Sequence, residues 1–181
     1  LGFARNVIVQ ASCHGTDNAA TLNAIAKSGG KARGVAVVDP AISDAELAAL
    51  HDGGIRGVRF NFLKRLVDAA PRDKFLQVAS RLPGGWHVVI YMEAPDIVEN
   101  AVVLADLPLP VVIDHMGRVK TQDGIDQDAF QLLLGLLRER HDFWVKICGA
   151  ERISSGGAPY EDSVPFAQAC IQAAPDRVLW G

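Results

Sequence analysis

The chain has 181 residues, a formal net charge of −3 and 49% hydrophobic residues, which is typical of a globular protein with a sizeable core. Its slight acidity argues against nucleic acid and anionic membranes as partners. No apolar run reaches the roughly 18–20 residues that span a bilayer. Three scattered cysteines, Cys13, Cys148 and Cys170, fit neither a disulfide framework nor a zinc cluster. We therefore expect three buried thiols in a cytoplasmic protein.

Seven short segments rich in β-branched residues recur along the chain and predict seven strands. The first four follow glycines, which supply the left-handed residue that ends a preceding helix; the later ones follow proline or charged residues. The predicted strands are Asn6–Gln10, Gly34–Val38, Ile55–Phe60, His87–Tyr91, Val111–Asp114, Phe143–Ile147 and Arg177–Trp180.

Amphipathic stretches with helix-start signals lie between these strands, and we predict six helices in all. Ser43 and Glu46 have the spacing of a capping box. The other signals are Asp17 and Asn18 before 19–27, Asp96 before 97–105, Asp126 before a face formed by Phe130, Leu133, Leu134 and Leu137, and a last helix over Tyr160–Ala174.

Strands that alternate with helices predict an α/β fold with a parallel sheet. The chain lacks the glycine-rich phosphate-binding motifs of doubly wound sheets, and its units of similar size favour a (β/α)8 TIM barrel. A complete barrel needs eight strands and about 250 residues. We therefore interpret residues 1–181 as one partial barrel domain covering strands two to eight, truncated at both ends. Alone, we expect this fragment to be inactive and prone to aggregate, because its sheet edges are open.

Active sites of such barrels lie at the carboxyl ends of the strands. The polar residues predicted there are Ser12, Arg59, Arg65, Tyr91, Glu93, Asp114, His115, Arg118, Lys146 and Arg152. Arginine is the largest group among them, and guanidinium groups match carboxylates in bidentate geometry. This arrangement predicts a small substrate that carries more than one carboxylate.

Each candidate also has a structural alternative. Arg59 could form a buried ion pair, and Tyr91 could fill the barrel. Ser12 could begin a turn, and Glu93 is expected to pair with an arginine. The remaining alternatives are a solvated loop charge for Arg65, a structural histidine at His115, a loop cap at Arg118 and a surface charge at Arg152.

Four strand-end motifs, in chain order, resemble those of the amidohydrolase superfamily (amidohydrolase family 2). They are GVRFNFL, VIYMEAPD, VVIDHMGR and VKICGAERIS. The five residues Arg59, Arg65, Tyr91, Arg118 and Arg152 make the resemblance specific to a lactonase branch. Metal-dependent relatives carry a histidine ligand where this chain has Tyr91, and tyrosine replaces neutral imidazole poorly at a divalent metal.

This resemblance implies hydrolysis of the lactone ring of 2-pyrone-4,6-dicarboxylate, a step in the degradation of lignin-derived aromatic compounds, without a metal cofactor. His115 is implied to be catalytic. Ser12, Arg59, Arg65, Tyr91, Arg118 and Arg152 are implied to bind the substrate. The resemblance also implies a His-x-His pair before Leu1 and a general-base aspartate just beyond Gly181.

Two other functions remain open at this stage. A decarboxylase of an aromatic or muconate-type acid on the same fold would also need arginines for carboxylates, together with Zn²⁺ or Mn²⁺. A non-catalytic ligand-binding relative would lack the histidine pair or the aspartate. Metal analysis separates the first of these from a lactonase.

Overall fold

The computed structural model describes residues 3–62 and 72–181. The chain divides into two compact units, Leu1–Val89 and Ile90–Gly181. The seven strands are β1 Asn6–Val9, β2 Ala32–Ala36, β3 Ile55–Asn61, β4 His87–Tyr91, β5 Val111–Ile113, β6 Phe143–Lys146 and β7 Val178–Leu179. All seven predicted strands are therefore confirmed, each within a few residues of its expected bounds.

Helices lie between successive strands. The α-helices are α1 Ala19–Lys27, α2 Asp44–Asp52, α3 Arg72–Ala79, α4 Ala94–Asp106, α5 Asp128–Glu139, α6 Ala150–Ile153 and α7 Val164–Ala173. Single turns of 3-10 helix occupy Ser12–His14, Thr121–Asp123 and Glu161–Ser163. A turn with positive φ values occupies His115–Arg118. The short helix α6 was not predicted, because four residues are too few to show a helical period.

The strands follow one another in chain order in one sheet, from β1 to β7. The pairs β1–β2, β2–β3, β5–β6 and β6–β7 are parallel. A doubly wound sheet would reverse its strand order at a switch point, whereas a barrel adds each new strand on the same side. The fold is therefore the predicted α/β type and corresponds to part of a (β/α)8 barrel.

Strand β2 ends two residues earlier than the sequence predicted, because a side chain takes over the role of a neighbouring strand. Asn18 is buried, its side-chain amide donates to the Val37 carbonyl at 2.8 Å, and its Oδ1 accepts from the Val37 N–H at 3.1 Å. Val37 thus has both backbone groups satisfied by Asn18, and the chain turns toward α2 from there.

Three predicted helix starts were wrong, for local reasons. Helix α4 begins at Ala94, where Glu93 is the N-cap and Asp96 is the third residue of a reciprocal capping box. Helix α5 begins at Asp128 after Gln127 rather than at Asp126. Helix α7 begins at Val164, since Tyr160 has φ +67° and cannot belong to a right-handed helix.

Each unit has its own apolar core. In the first, Ile55, Val58 and Trp86 are fully buried. In the second, the predicted face of α5 is confirmed, because all four of its apolar side chains are buried against β6 and the neighbouring helices. Cys148 and Cys170 are buried as expected, but Cys13 is exposed because it lies in the short turn after β1 rather than on a core face.

Among residues 3–62 and 72–181, no helix is both long enough and apolar enough to cross a bilayer.

Arg140 joins the end of α4 to the start of β6. Its guanidinium donates to the carbonyls of Leu104, Ala105, Leu107 and Leu109 and forms two hydrogen bonds with the Asp142 carboxylate. The last carbonyls of a helix have no partner within it, so one side chain here satisfies several of them at once. The Arg140 hydrogen bonds also hold the pKa of Asp142 below its usual value.

We predict that Arg140→Met in the full-length protein lowers the free energy of unfolding by about 2–3 kcal/mol, the usual cost of losing charged hydrogen bonds. Because Asp142 has a lowered pKa in the folded state, its contribution is present above its ordinary pKa of about 4 and is lost as the pH falls below that value. The difference between wild type and variant, measured by urea unfolding, should therefore shrink at low pH. Arg138→Met, on the exposed face of α5, is the control and should change little.

Candidate functional site

In the first unit, two of the predicted site residues are in contact. Arg59 on β3 donates from Nη1 to the Ser12 hydroxyl at 2.8 Å. Ser12 begins the 3-10 turn that follows β1, at the carboxyl end of that strand. Both side chains are partly exposed. Arg65 lies outside the described residues, so its predicted role stays a prediction.

The turn that carries Ser12 is held in place by Gln10, whose side chain is almost completely buried. Its amide donates to the carbonyls of Gly15 at 3.3 Å and Asp17 at 2.6 Å, and its Oε1 accepts from the Thr21 hydroxyl at 2.6 Å. The turn is therefore anchored to helix α1 by a fully used amide. Sequence reasoning missed Gln10, because its role depends on a loop that folds back over it.

In the second unit, two arginines converge on one hydroxyl. Tyr91, the last residue of β4, accepts from Nη1 of Arg118 at 3.0 Å and from Nη1 of Arg152 at 3.0 Å. Tyr91 and Arg118 are buried, whereas the Arg152 side chain is 40% exposed. Three of the predicted substrate-binding residues thus meet at one point.

The positive charge and the hydrogen-bond donors of Arg118 are only partly satisfied near Tyr91. Its Nη2 lies 3.5 Å from Glu93 Oε1, a weak ion pair that confirms the predicted pairing of Glu93 with an arginine. Its Cζ lies 5.5 Å from the Tyr91 ring centroid, within cation–π range. Its Nε is buried without a hydrogen-bond partner. Buried donors without partners are rare in proteins, and an anion near Arg118 would improve its charge compensation.

The segment that carries Arg118 has an unusual backbone. His115, Met116, Gly117 and Arg118 have φ values of +53°, +51°, +65° and +50° and form one left-handed turn. Each non-glycine residue in this conformation costs roughly 1–2 kcal/mol. A Cβ at Gly117 would lie 2.5 Å from Ile97 Cδ1, so the end of the Ile97 side chain would have to shift. The turn directs both polar side chains, His115 and Arg118, toward Tyr91.

His115 stands beside the two arginines. Its ring meets the Tyr91 ring edge-on with centroids 5.5 Å apart. Its Nδ1 lies 3.3 Å from Cys148 Sγ. Gly149 presses against the same edge, because a Cβ there would lie 2.7 Å from His115 Nδ1. Gly149 also has φ +73°, so glycine is required at this position for two reasons.

A buried ion pair fixes the backbone just before His115. Lys146 at the end of β6 lies 2.7 Å from Asp114, the residue before His115, and the Asp114 side chain is only 3% exposed. A carboxylate at this depth needs a charged partner. The pair therefore has a structural role that ties β6 to the start of the left-handed turn.

Asp162 stabilises the loop after Arg152 by hydrogen bonds. This carboxylate accepts from the hydroxyls of Thr121 and Ser154 and from the N–H groups of Ser155 and Gly156, at 2.5–3.1 Å. These hydrogen bonds, chiefly that of Ser154, hold the pKa of Asp162 far below its usual range. Lys120 also donates to the Arg152 carbonyl at 3.1 Å. Asp162 was not predicted, because only the folded loops bring its partners together.

The part of the chain that the structure describes contains no group of three or more His, Cys, Asp or Glu side chains placed to hold a metal ion. Tyr91 accepts hydrogen bonds from two cationic side chains, Arg118 and Arg152. The arrangement of the second unit therefore fits an anionic ligand better than a cationic one.

The family model described as amidohydrolase matches residues 1–181. The chain therefore belongs to the amidohydrolase family, as its strand-end motifs predicted.

Three similar proteins illustrate this relationship. A 2-pyrone-4,6-dicarboxylate hydrolase of Comamonas testosteroni is 52% identical over all of this chain and 62% of its own length. A 4-sulfomuconolactone hydrolase of Hydrogenophaga intermedia is 37% identical over all of this chain and 60% of its own length. A crystal structure from Acinetobacter baumannii, described as a 2-pyrone-4,6-dicarboxylic acid hydrolase with citric acid bound, has a TM-score of 0.78 and 29% identity over 99% of this chain and 67% of its own. The chain thus spans about three fifths of the length of the curated relatives it matches.

The buried pair of Asp114 and Lys146 gives a direct test of this geometry. We predict that Lys146→Met in the full-length protein lowers the free energy of unfolding by about 3 kcal/mol, because a deeply buried carboxylate loses its cationic partner. The double variant Asp114→Asn with Lys146→Met should recover much of this loss, since no buried charge is left behind. Lys27→Met, at an exposed position of α1, is the matched control. A Lys146→Met effect as small as that of the control would contradict the structural role of the pair.

Proposed function

We propose that this protein is a metal-independent hydrolase that opens the lactone ring of 2-pyrone-4,6-dicarboxylate in the breakdown of aromatic compounds. The observation that carries the proposal is the convergence of Arg118 and Arg152 on the Tyr91 hydroxyl, beside His115. Arg118 pairs with Glu93 at 3.5 Å and Arg152 with Glu151 at 3.2 Å, and two guanidinium groups that also share a neutral acceptor still offer donors to a carboxylate. The names of the relatives, two ring-opening hydrolases and one protein with bound citric acid, support the same substrate class.

In the proposed reaction, water adds to the lactone carbonyl carbon, and the bond between that carbon and the ring oxygen then breaks. A general base takes the proton of the water, a role that the family resemblance assigns to an aspartate after RVLWG. His115 is proposed to donate a hydrogen bond to the carbonyl oxygen as negative charge develops there. The ring oxygen leaves as an enolate and takes up a proton, so that the product carries one more carboxylate than the substrate.

Substrate binding is proposed for the side chains that meet at Tyr91. Arg118, Arg152 and Tyr91 would hold one carboxylate and fix the ring relative to the attacking water, which is the positional part of catalysis. Ser12, Arg59 and Arg65 are proposed to bind the substrate on the sequence argument. The contact of Arg59 with the Ser12 hydroxyl places that guanidinium beside the carboxyl end of β1. A cytoplasmic location, as the free thiols suggest, completes the proposal.

Substitutions of Arg118 and Arg152 test whether these arginines bind the substrate or only support the fold. We predict that Arg118→Met lowers kcat/KM for the dicarboxylate at least 30-fold, because the substrate carboxylate would be left desolvated and unpaired at a cost of about 2–5 kcal/mol. Arg152→Met should lower it less, about tenfold, since water already screens a side chain this exposed. Lysine at either position should restore only part of the activity, because it lacks the bidentate fork.

Steady-state kinetics with two substrates measures these effects. The loss should be much smaller for a pyrone that lacks the matching carboxylate, because that substrate never used the contact. Arg138→Met serves as the control, and thermal unfolding checks that each variant folds. Equal losses for the dicarboxylate and for both monocarboxylates would assign the arginines a structural role and remove the main support for a dicarboxylate substrate.

Metal dependence distinguishes the lactonase from the decarboxylase. We predict that the full-length enzyme keeps its activity after exhaustive chelation, because Tyr91 is engaged by two cations where a metal ligand would stand. Activity and metal content are measured together before and after treatment with EDTA. Loss of activity that Zn²⁺ or Mn²⁺ restores, with release of CO2 instead of a ring-opened acid, would favour the decarboxylase.

A further inference from the structure

The two ring nitrogens of His115 have different surroundings. On the Nδ1 edge lie Cys148 Sγ, at 3.3 Å, and the backbone of Gly149, which leaves no room even for a methyl group. The residue is nevertheless partly exposed. Because the Nδ1 edge is covered by protein, a ligand can approach His115 only from the side that carries Nε2.

From this geometry we propose that Cys148 is a positioning residue: its thiol donates a hydrogen bond to Nδ1 of His115 and so keeps the imidazole proton on Nε2. A neutral imidazole has one donor and one acceptor nitrogen, and the partner of one nitrogen decides the state of the other. Nδ1 is then the acceptor, and Nε2–H is the donor that faces the ligand.

The surroundings of the thiol determine the direction of this hydrogen bond. Cys148 is buried, and burial raises the pKa of its thiol, so the sulfur keeps its proton near neutral pH. A protonated thiol whose sulfur lies 3.3 Å from Nδ1 can donate its S–H proton to the nitrogen lone pair. A protonated, buried thiol is a poor nucleophile, which fits a positioning role better than a covalent one.

This inference deepens the proposed function, and its catalytic consequence rests on that function. A histidine with its proton on Nε2 can donate to the lactone carbonyl oxygen and to the oxyanion that follows. The other tautomer would present a lone pair to the same oxygen and would repel it. Cys148 would therefore select the form of His115 that polarises the carbonyl and disfavour the form that could act as a base.

The tautomer can be measured without any activity. In the full-length protein labelled with ¹⁵N-histidine, long-range ¹H–¹⁵N correlation spectra distinguish protonated from unprotonated ring nitrogens, and His115→Gln identifies the signals. We expect a protonated Nε2 and an unprotonated Nδ1 in the wild type and in Cys148→Ser, which keeps a donor. In Cys148→Ala, the ratio of the Nδ1–H form to the Nε2–H form should rise roughly fivefold, the effect of losing one ordinary hydrogen bond.

Cys170→Ala is the matched control, because it truncates another buried thiol, one whose pKa burial raises to about 12 and which lies on α7 away from His115. Its His115 signals should equal those of the wild type. A wild-type His115 protonated on Nδ1 would overturn the proposal, and this test needs no variant of Cys148. An unchanged spectrum in folded Cys148→Ala would overturn it as well.

Steady-state kinetics, compared with the measured tautomer, tests the role of Cys148 and the proposed function independently. Cys148→Ala should lower kcat for ring opening by at most about threefold with little change in KM, because a fivefold change in the tautomer ratio removes only part of an Nε2–H form that dominates in the wild type; Cys148→Ser should stay near the wild type. If the full-length protein shows the expected tautomer but opens no pyrone dicarboxylate, the proposed function fails and the role of Cys148 stands. If the protein is an active lactonase with the opposite tautomer, the role of Cys148 fails alone.

Discussion

Two positive charges that meet at one uncharged oxygen set the main constraint on the second unit. The Tyr91 hydroxyl accepts from Arg118 and Arg152 at 3.0 Å each, and Glu93 offsets Arg118 only at 3.5 Å. Like charges this close repel each other, so the surrounding structure has to hold them in place. The left-handed turn, the Asp162 loop anchor and the buried pair of Asp114 and Lys146 all serve this purpose.

Each of these supports acts on a different neighbour of Tyr91. Asp162 fixes the loop that follows Arg152. It accepts hydrogen bonds from Thr121 and Ser155 and so joins the loops after β5 and β6. Asp114 and Lys146 fix the point where β5 passes into the turn. Because these contacts lie within the protein, they restrict the motion of the side chains around Tyr91, which lowers the cost of binding an anion.

The sequence predicted the elements that depend on local pattern and failed where a contact comes from far along the chain. The capping box of Ser43 and Glu46 and the apolar face of α5 depend on spacings within one helix, and both are present. The end of strand β2 was predicted two residues too late. Asn18, nineteen residues from Val37, forms hydrogen bonds with the Val37 backbone as a neighbouring strand would. Of the candidate site, Tyr91, Arg118 and Arg152 were predicted as strand-end residues and are in contact. Cys148 and Asp162 were not predicted as site supports, because nothing in the local sequence shows which side chains their polar atoms meet.

The left-handed turn also limits how this part of the molecule can change. A residue with φ near +50° tolerates glycine, asparagine, aspartate and histidine, whereas β-branched side chains clash with their own backbone. At His115, the accessible replacements that still carry chemistry are therefore mainly aspartate, an acid or base, and asparagine, a hydrogen-bond donor. At Gly117, any side chain would in addition displace the end of Ile97. New activities on this framework are consequently easier to reach by changing the loop around Arg152 than by changing the turn, because the backbone conformation restricts the turn before any ligand is considered.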